Sequence, residues 1–140
     1  KTFELFYNSF SKDTSGVYWT TWEKISLLDS NSFETKWWIW WIDKDYISCG
    51  NTVIPHSESK TFRNYETWIN LKLGNYGFAW DKNFVYFCWL DTPITLLDAD
   101  PASFKSLMPM TESAPPYFWK WKDKNHVYQC NPASWKCTKT

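Results

Sequence analysis

The fold class this sequence predicts is all-β with at most one short helix: an array of about four aromatic-rich β-hairpin repeats. Three observations predict it. A short phrase recurs four times along the chain, aromatic and β-branched residues flank a tight Asp/Asn/Lys cluster in the clearest copies, and rings make up 30 of 140 residues, twelve of them Trp. Self-similarity at a period of roughly 20–50 residues is the mark of a repeat architecture.

Laid on their aspartates, the copies start from Asp13, Asp43, Asp81 and Asp123, spaced 30, 38 and 42 residues apart. Four residues further on stand Val17, Ile47, Val85 and Val127, followed by Tyr18, Ser48, Tyr86 and Tyr128. Beyond these, Ile25 to Phe33 lines up with Ile94 to Phe104, Ser59 to Phe62 offers the same ending in the second copy, and Pro132 to Lys136 matches Pro101 to Lys105. Asp and Asn tolerate left-handed turn dihedrals and bond their own backbone, so each copy reads as strand, turn, strand.

Taken in order, Thr2 to Phe10 reads as a leading strand, Gly16 supplies the turn, Val17 to Trp22 the return strand and Ile25 to Leu28 a third short strand. The run Trp37 to Ile42 is uncharged and β-prone, so it is expected as a central strand covered on both faces. Tyr65, Trp68 and Ile69 fit one helical face, with Gly74 as its stop, and give the single helix expected. Asp100-Pro101 suits the start of one helical turn around Ser103. Met108 to Pro116, with three prolines, is the longest loop. Copy four sets Trp119 and Trp121 four and two residues before its Asp, where the others set rings three or one before. A one-residue slip reverses every side chain, so a bulge or longer turn is expected there. After Trp135 no strand is expected to complete the last copy. One domain, 1–140, then contains repeats of about 3–36, 37–74, 75–116 and 117–140, solenoid-like or closed on itself.

Asp81-Lys-Asn-Phe-Val-Tyr86 and Asp123-Lys-Asn-His-Val-Tyr128, followed in the third copy by Ala99-Asp-Pro-Ala-Ser-Phe104, resemble the DKNYY repeat family of bacterial proteins. The resemblance is looser in copy one, where Asp13-Thr-Ser-Gly16 stands, and in copy two, where Ser48 replaces tyrosine. It implies a bacterial source and a structural motif, with no assigned activity and no catalytic residue.

Fifteen basic residues balance fifteen acidic ones. No long-range field therefore recruits nucleic acid or an anionic membrane, and no apolar run is long enough to span a bilayer as a helix. Four cysteines admit three pairings; Cys49 with Cys88, clipping neighbouring hairpins, and Cys130 with Cys137, closing a small loop, are expected. Cysteines in pairs and a chain that begins at Lys1 fit an exported, extracytoplasmic protein, periplasmic, cell-surface or secreted. There is no Cys-x-x-Cys or His-x-x-x-His spacing for a metal. The pairs Asp43/Asp45 and Asp98/Asp100 lie in predicted turns, where carboxylates serve the backbone, and His56 and His126 have no nucleophile beside them by motif. Neither a cofactor nor catalysis is expected.

The function expected is that of a non-catalytic structural or self-assembling subunit acting by protein contacts, with itself or another protein. Trp19, Trp22 and Trp89, on or just beyond the return strands, are the candidate contact surface, while Trp38, Trp40 and Trp80 are assigned to the core. A glycan-binding aromatic platform and a toxin-neutralising protein are the alternatives, since thirty rings exceed what one small core is expected to enclose.

Overall fold

The computed structural model describes residues 3–6, 10–19, 23–37, 39–64, 76–89, 92–96, 98–107, 120–131 and 136–140. Four antiparallel sheets follow one another along the chain. The first holds β1 (Glu4–Leu5), β2 (Ser11–Asp13) and β3 (Gly16–Tyr18), with Lys24 adding a single bridge to Tyr18. The second is the meander β4 (Glu34–Trp37), β5 (Trp40–Ile42), β6 (Ile47–Cys49) and β7 (Thr52–Ile54). The third is β8 (Arg63–Asn64), β9 (Tyr76–Trp80), β10 (Val85–Trp89) and β11 (Thr92–Leu96). The fourth is β12 (Lys105–Ser106), β13 (Lys120–Lys122), β14 (Val127–Asn131) and β15 (Lys136–Lys139). The repeat is thus a leading strand, a hairpin closed at the motif Asp, and a third strand.

Period-2 alternation sends each hairpin's side chains to two neighbours. In the third sheet Phe78, Val85 and Phe87 face a core shared with Phe104, Trp121 and Tyr128, while Ala79, Tyr86 and Cys88 face one shared with Trp40, Ile47 and Cys49. Phe10, Val17, Leu28, Phe33 and Trp41 make the remaining core, between the first two sheets. Three cores therefore separate four sheets, and among the described residues none joins the fourth sheet to the first. Over the described residues the array is open, as a solenoid is.

Several local expectations are corrected. Trp37 to Ile42 is not one strand: Trp37 ends β4, the chain turns, and Trp40 opens β5 directly opposite Trp37. Trp40 and Trp41 are nonetheless both buried, one in each flanking core. Of the leading strand expected over Thr2 to Phe10, the described part is β1, only Glu4–Leu5, which runs antiparallel to β2. Ile25 to Leu28 forms a turn, with Leu28 N–H donating to Ile25 C=O at 3.1 Å, in place of a strand. A short 3-10 turn, Ser59–Thr61, occupies the second copy's equivalent of the turn at Ser103. The expected helix at Tyr65 to Leu73 and the loop Met108 to Pro116 lie outside the described residues.

Copy four has no bulge in its hairpin. Lys122 opposes Val127 and Trp121 opposes Tyr128, the same register in which Trp80 opposes Val85 and Ala79 opposes Tyr86. The ring sits at an even offset because the described core residues of the last sheet, Trp121, Tyr128 and Cys130, all face the preceding sheet. The irregular pairing occurs instead in the second sheet, between Thr35 and Trp37. The last copy is also complete: β15 pairs with β14 from Tyr128–Lys139 to Asn131–Lys136. Lys136 therefore opens the third strand of its own sheet, whereas Lys105 opens the leading strand of the next.

Candidate functional site

The one chemically rich arrangement that repeats is the turn at each motif aspartate. At Asp81 one carboxylate oxygen, Oδ1, accepts the backbone N–H groups of Asn83 at 2.7 Å and Phe84 at 2.8 Å, which fixes the hairpin turn. The other, Oδ2, accepts the Tyr86 hydroxyl at 2.8 Å and, across the sheet boundary, the Glu58 N–H at 2.7 Å. Lys82 donates its backbone N–H to the Thr61 hydroxyl at 3.1 Å and pairs its ammonium with the Glu58 carboxylate at 2.5 Å. Asp and Lys together make a clasp that grips the turn ending the preceding sheet.

The clasp recurs at both other junctions. Asp43 Oδ2 accepts the Asp29 N–H at 2.8 Å, Lys44 N–H meets the Ser32 hydroxyl at 3.0 Å, and Lys44 Nζ lies 3.3 Å from the Asp29 carboxylate. Asp123 Oδ2 accepts the Asp100 N–H at 2.8 Å, Lys124 N–H meets the Ser103 hydroxyl at 3.0 Å, and Lys124 Nζ lies 3.3 Å from Asp100. The gripped turns share an acid, then a hydroxyl three residues on, then Phe: Asp29/Ser32/Phe33, Glu58/Thr61/Phe62, Asp100/Ser103/Phe104. Each Phe anchors its turn in the core beneath, and Phe33 on Trp41 and Phe104 on Trp121 are near-parallel stacks. The acid-x-x-hydroxyl-Phe spacing was present in the sequence; what reading it missed was that it is the other half of Asp-Lys.

Burial alone would push the Asp123 carboxyl up, but the N–H groups of Asp100, Asn125 and His126 and the Tyr128 hydroxyl together pull it down to about 2. Tyr86 and Tyr128 move the other way, raised by burial and by the carboxylate each one donates to. Lys82 and Thr61 hold Glu58 below the usual carboxylate range, and Ser32 and Asn31 do the same for Asp29. These are shifts that fix charge in place. No group among them is left poised to exchange a proton near neutrality, and no cluster among the described residues could hold a metal ion.

Of the expected contact residues, Trp19 is half-buried against the first core, its ring centroid 4.4 Å from that of Phe10. Trp89 closes β10 opposite Tyr76 and Thr92. Trp22 and Trp38 lie outside the described residues. Trp40 is wholly buried and Trp80 packs at the edge of the last core, both as core residues. Both disulfides form as expected. Cys49 to Cys88 ties the second sheet to the third, and Cys130 to Cys137 ties β14 to β15. The offsets explain the first of these: Cys49 lies six residues past its Asp and faces forward, Cys88 seven past its Asp and faces back. Paired cysteines suit an oxidising compartment, and no helix of the described residues is long and apolar enough to cross a membrane.

No curated protein and no solved structure matches the chain. One family model does, over residues 1–131. The chain belongs to the DKNYY family.

Proposed function

We propose that this protein is a non-catalytic structural subunit that works outside the cytoplasm through protein–protein contacts. The observation that carries the reading is that the motif's chemistry is consumed by the fold. The Asp81 and Asp123 carboxylates accept four hydrogen bonds each, the motif lysines are paired to the preceding turns, and the tyrosine hydroxyls of copies three and four are bonded. What recurs is a device for stacking sheets, and a stack of sheets offers surface in place of a reaction centre. The described aromatics go mainly to the cores, which favours protein contact over a ring platform for sugars. The two disulfides support an exported location.

Strand exchange between copies is not the form of self-contact proposed, because β15 already pairs with β14 within the fourth sheet. Surface contact remains. Light scattering behind size exclusion, on oxidised protein over a wide concentration range, tests the self-assembling form. A mass that climbs with concentration supports it; a constant monomer mass removes it and leaves a second protein as the partner.

A further inference from the structure

We propose that the outward face of the fourth sheet docks an extended acidic polypeptide segment. The proposal deepens the protein-contact reading and rests on it.

The fourth sheet buries Trp121, Tyr128 and Cys130 against the sheet before it, and among the described residues no core lies on its other face. At the offsets where the third sheet carries Phe78, Trp80 and Phe87 toward its neighbour, the fourth carries Lys120, Lys122 and Gln129. Directly opposed residues share a face, so pairing adds Lys105 opposite Lys122, Thr138 opposite Gln129 and Lys136 opposite Asn131. Four lysines therefore lie on one face of one sheet. At about 4.8 Å between strands and about 6.8 Å per two residues, they trace a diagonal of roughly 20 Å from Lys105 to Lys136.

Of the other described lysines, Lys24 and Lys60 form no ion pair, whereas Lys12, Lys36, Lys44, Lys82, Lys124 and Lys139 each form one. None of the four on this face does, and among the described residues no carboxylate shares the face with them. A sheet face open to water needs polar side chains, but solubility is served as well by mixed signs. Like charges placed directly opposite each other, as Lys105 and Lys122 are, destabilise a sheet. The face thus carries a cost that an anionic occupant removes. Charge is segregated on the larger scale too: residues 1–104 hold nine basic and thirteen acidic residues, a balance of −4, and residues 105–140 hold six and two, a balance of +4.

An extended peptide sets alternate side chains about 6.8 Å apart on one side, which matches the step from Lys122 to Lys120. Gln129 and Thr138 supply amide and hydroxyl groups along the same track. A broad polyanion or an anionic membrane would reach past this face to the negatively charged remainder of the stack, whose sheets are only about 10 Å apart, close to one screening length. A segment no longer than the face meets lysines alone.

The test is fluorescence anisotropy with full-length oxidised protein and a labelled peptide of four Glu-Thr repeats, beside the same peptide with Gln for Glu. We expect the Glu peptide to bind, more weakly as salt rises, and the Gln peptide not to. The pair K120E and K122E should weaken binding by at least about tenfold, while K36E, at a paired site on another sheet, leaves it unchanged. K122E alone should melt no lower than the parent, because the new carboxylate faces Lys105; that separates lost docking from lost folding. Equal binding of both peptides, no binding of either, or indifference to K120E and K122E overturns the proposal. Tighter binding to polyphosphate or to phosphatidylglycerol vesicles than to the Glu peptide overturns the choice of occupant. If the peptide fails while a partner or a second copy is found on another surface, this docking face falls and the protein-contact reading stands.

Discussion

Asp81 is wholly buried and its charge is spread over four donors, two within its own turn and two that reach beyond it. Asp81→Asn keeps one acceptor oxygen and turns the other into an amide donor that faces the Glu58 N–H. A buried donor then has no acceptor, and hydrogen bonds to a charged group are lost, so we expect a loss of about 2–3 kcal/mol in urea unfolding. Asp45→Asn, two residues past the motif Asp of copy two and exposed, should stay within about 0.5 kcal/mol. Asp123 gives the same clasp a pH signature. Its folded value of about 2 lies below the unfolded value near 3.9. The unfolded chain therefore binds more protons, and the contribution is whole above about pH 4 and is lost as pH falls toward 2. The unfolding midpoint followed from pH 5 to pH 2 should drop more in the parent than in Asp123→Asn; parallel curves would show that Asp123 is not held by its donors.

At the scale of one sheet, the outlying second copy has a packing explanation. Ser48 stands opposite Trp41, and Ala79 opposite Tyr86, so a large and a small residue exchange strands between the two sheets. Ala79→Trp should overpack the middle core and cost about 1–3 kcal/mol, and adding Tyr86→Ser should recover part of it. A double-mutant cycle in urea showing no coupling would mean the exchange is incidental. The hairpins, their turns and the two cysteine pairs were legible in the sequence because Asp-Lys-Asn chemistry and strand alternation are local. The leading strands were not: β8 and β12 are two residues long and take their place from pairing with β9 and β13, which no local pattern announces. Trp121 was misleading for a related reason, since its offset reports which sides of its sheet have neighbours, not its register. The clasp was half legible, with both halves in view and only the folded chain joining them. The disulfides give the fourth prediction. Closing 39 residues, Cys49 to Cys88 should contribute roughly 4 kcal/mol, against roughly 2–3 for the 7-residue span of Cys130 to Cys137, when each pair is replaced by Ala. Equal losses would mean that chain closure is not what the long bridge provides.

At the scale of the whole molecule, stability is a sum over sheets and the junctions between them, and the junctions are unevenly distributed. The third sheet is buried on both faces, grips through Asp81 on one side and is gripped through Asp100 on the other, and is tied back by Cys88. Its central strands are five residues each. Among the described residues the first sheet has one covered face and three-residue central strands, and its leading strand is only two residues, with Leu5 78% exposed. Opening it would break one core and one clasp, whereas opening the third sheet would break two of each. Local opening should therefore be cheap at the first sheet and approach global unfolding at the third. Native-state hydrogen exchange on the oxidised protein should show the amides of β9 and β10 slowest and those of β2 and β3 faster by at least about a hundredfold, near 2.7 kcal/mol. Asp43→Asn, at the first junction, should widen that gap by loosening the first sheet while leaving β9 and β10 almost unchanged. If all four sheets instead exchange together, and Asp43→Asn accelerates them equally, the stack opens as one cooperative body and the clasps join the sheets too tightly for any junction to yield alone.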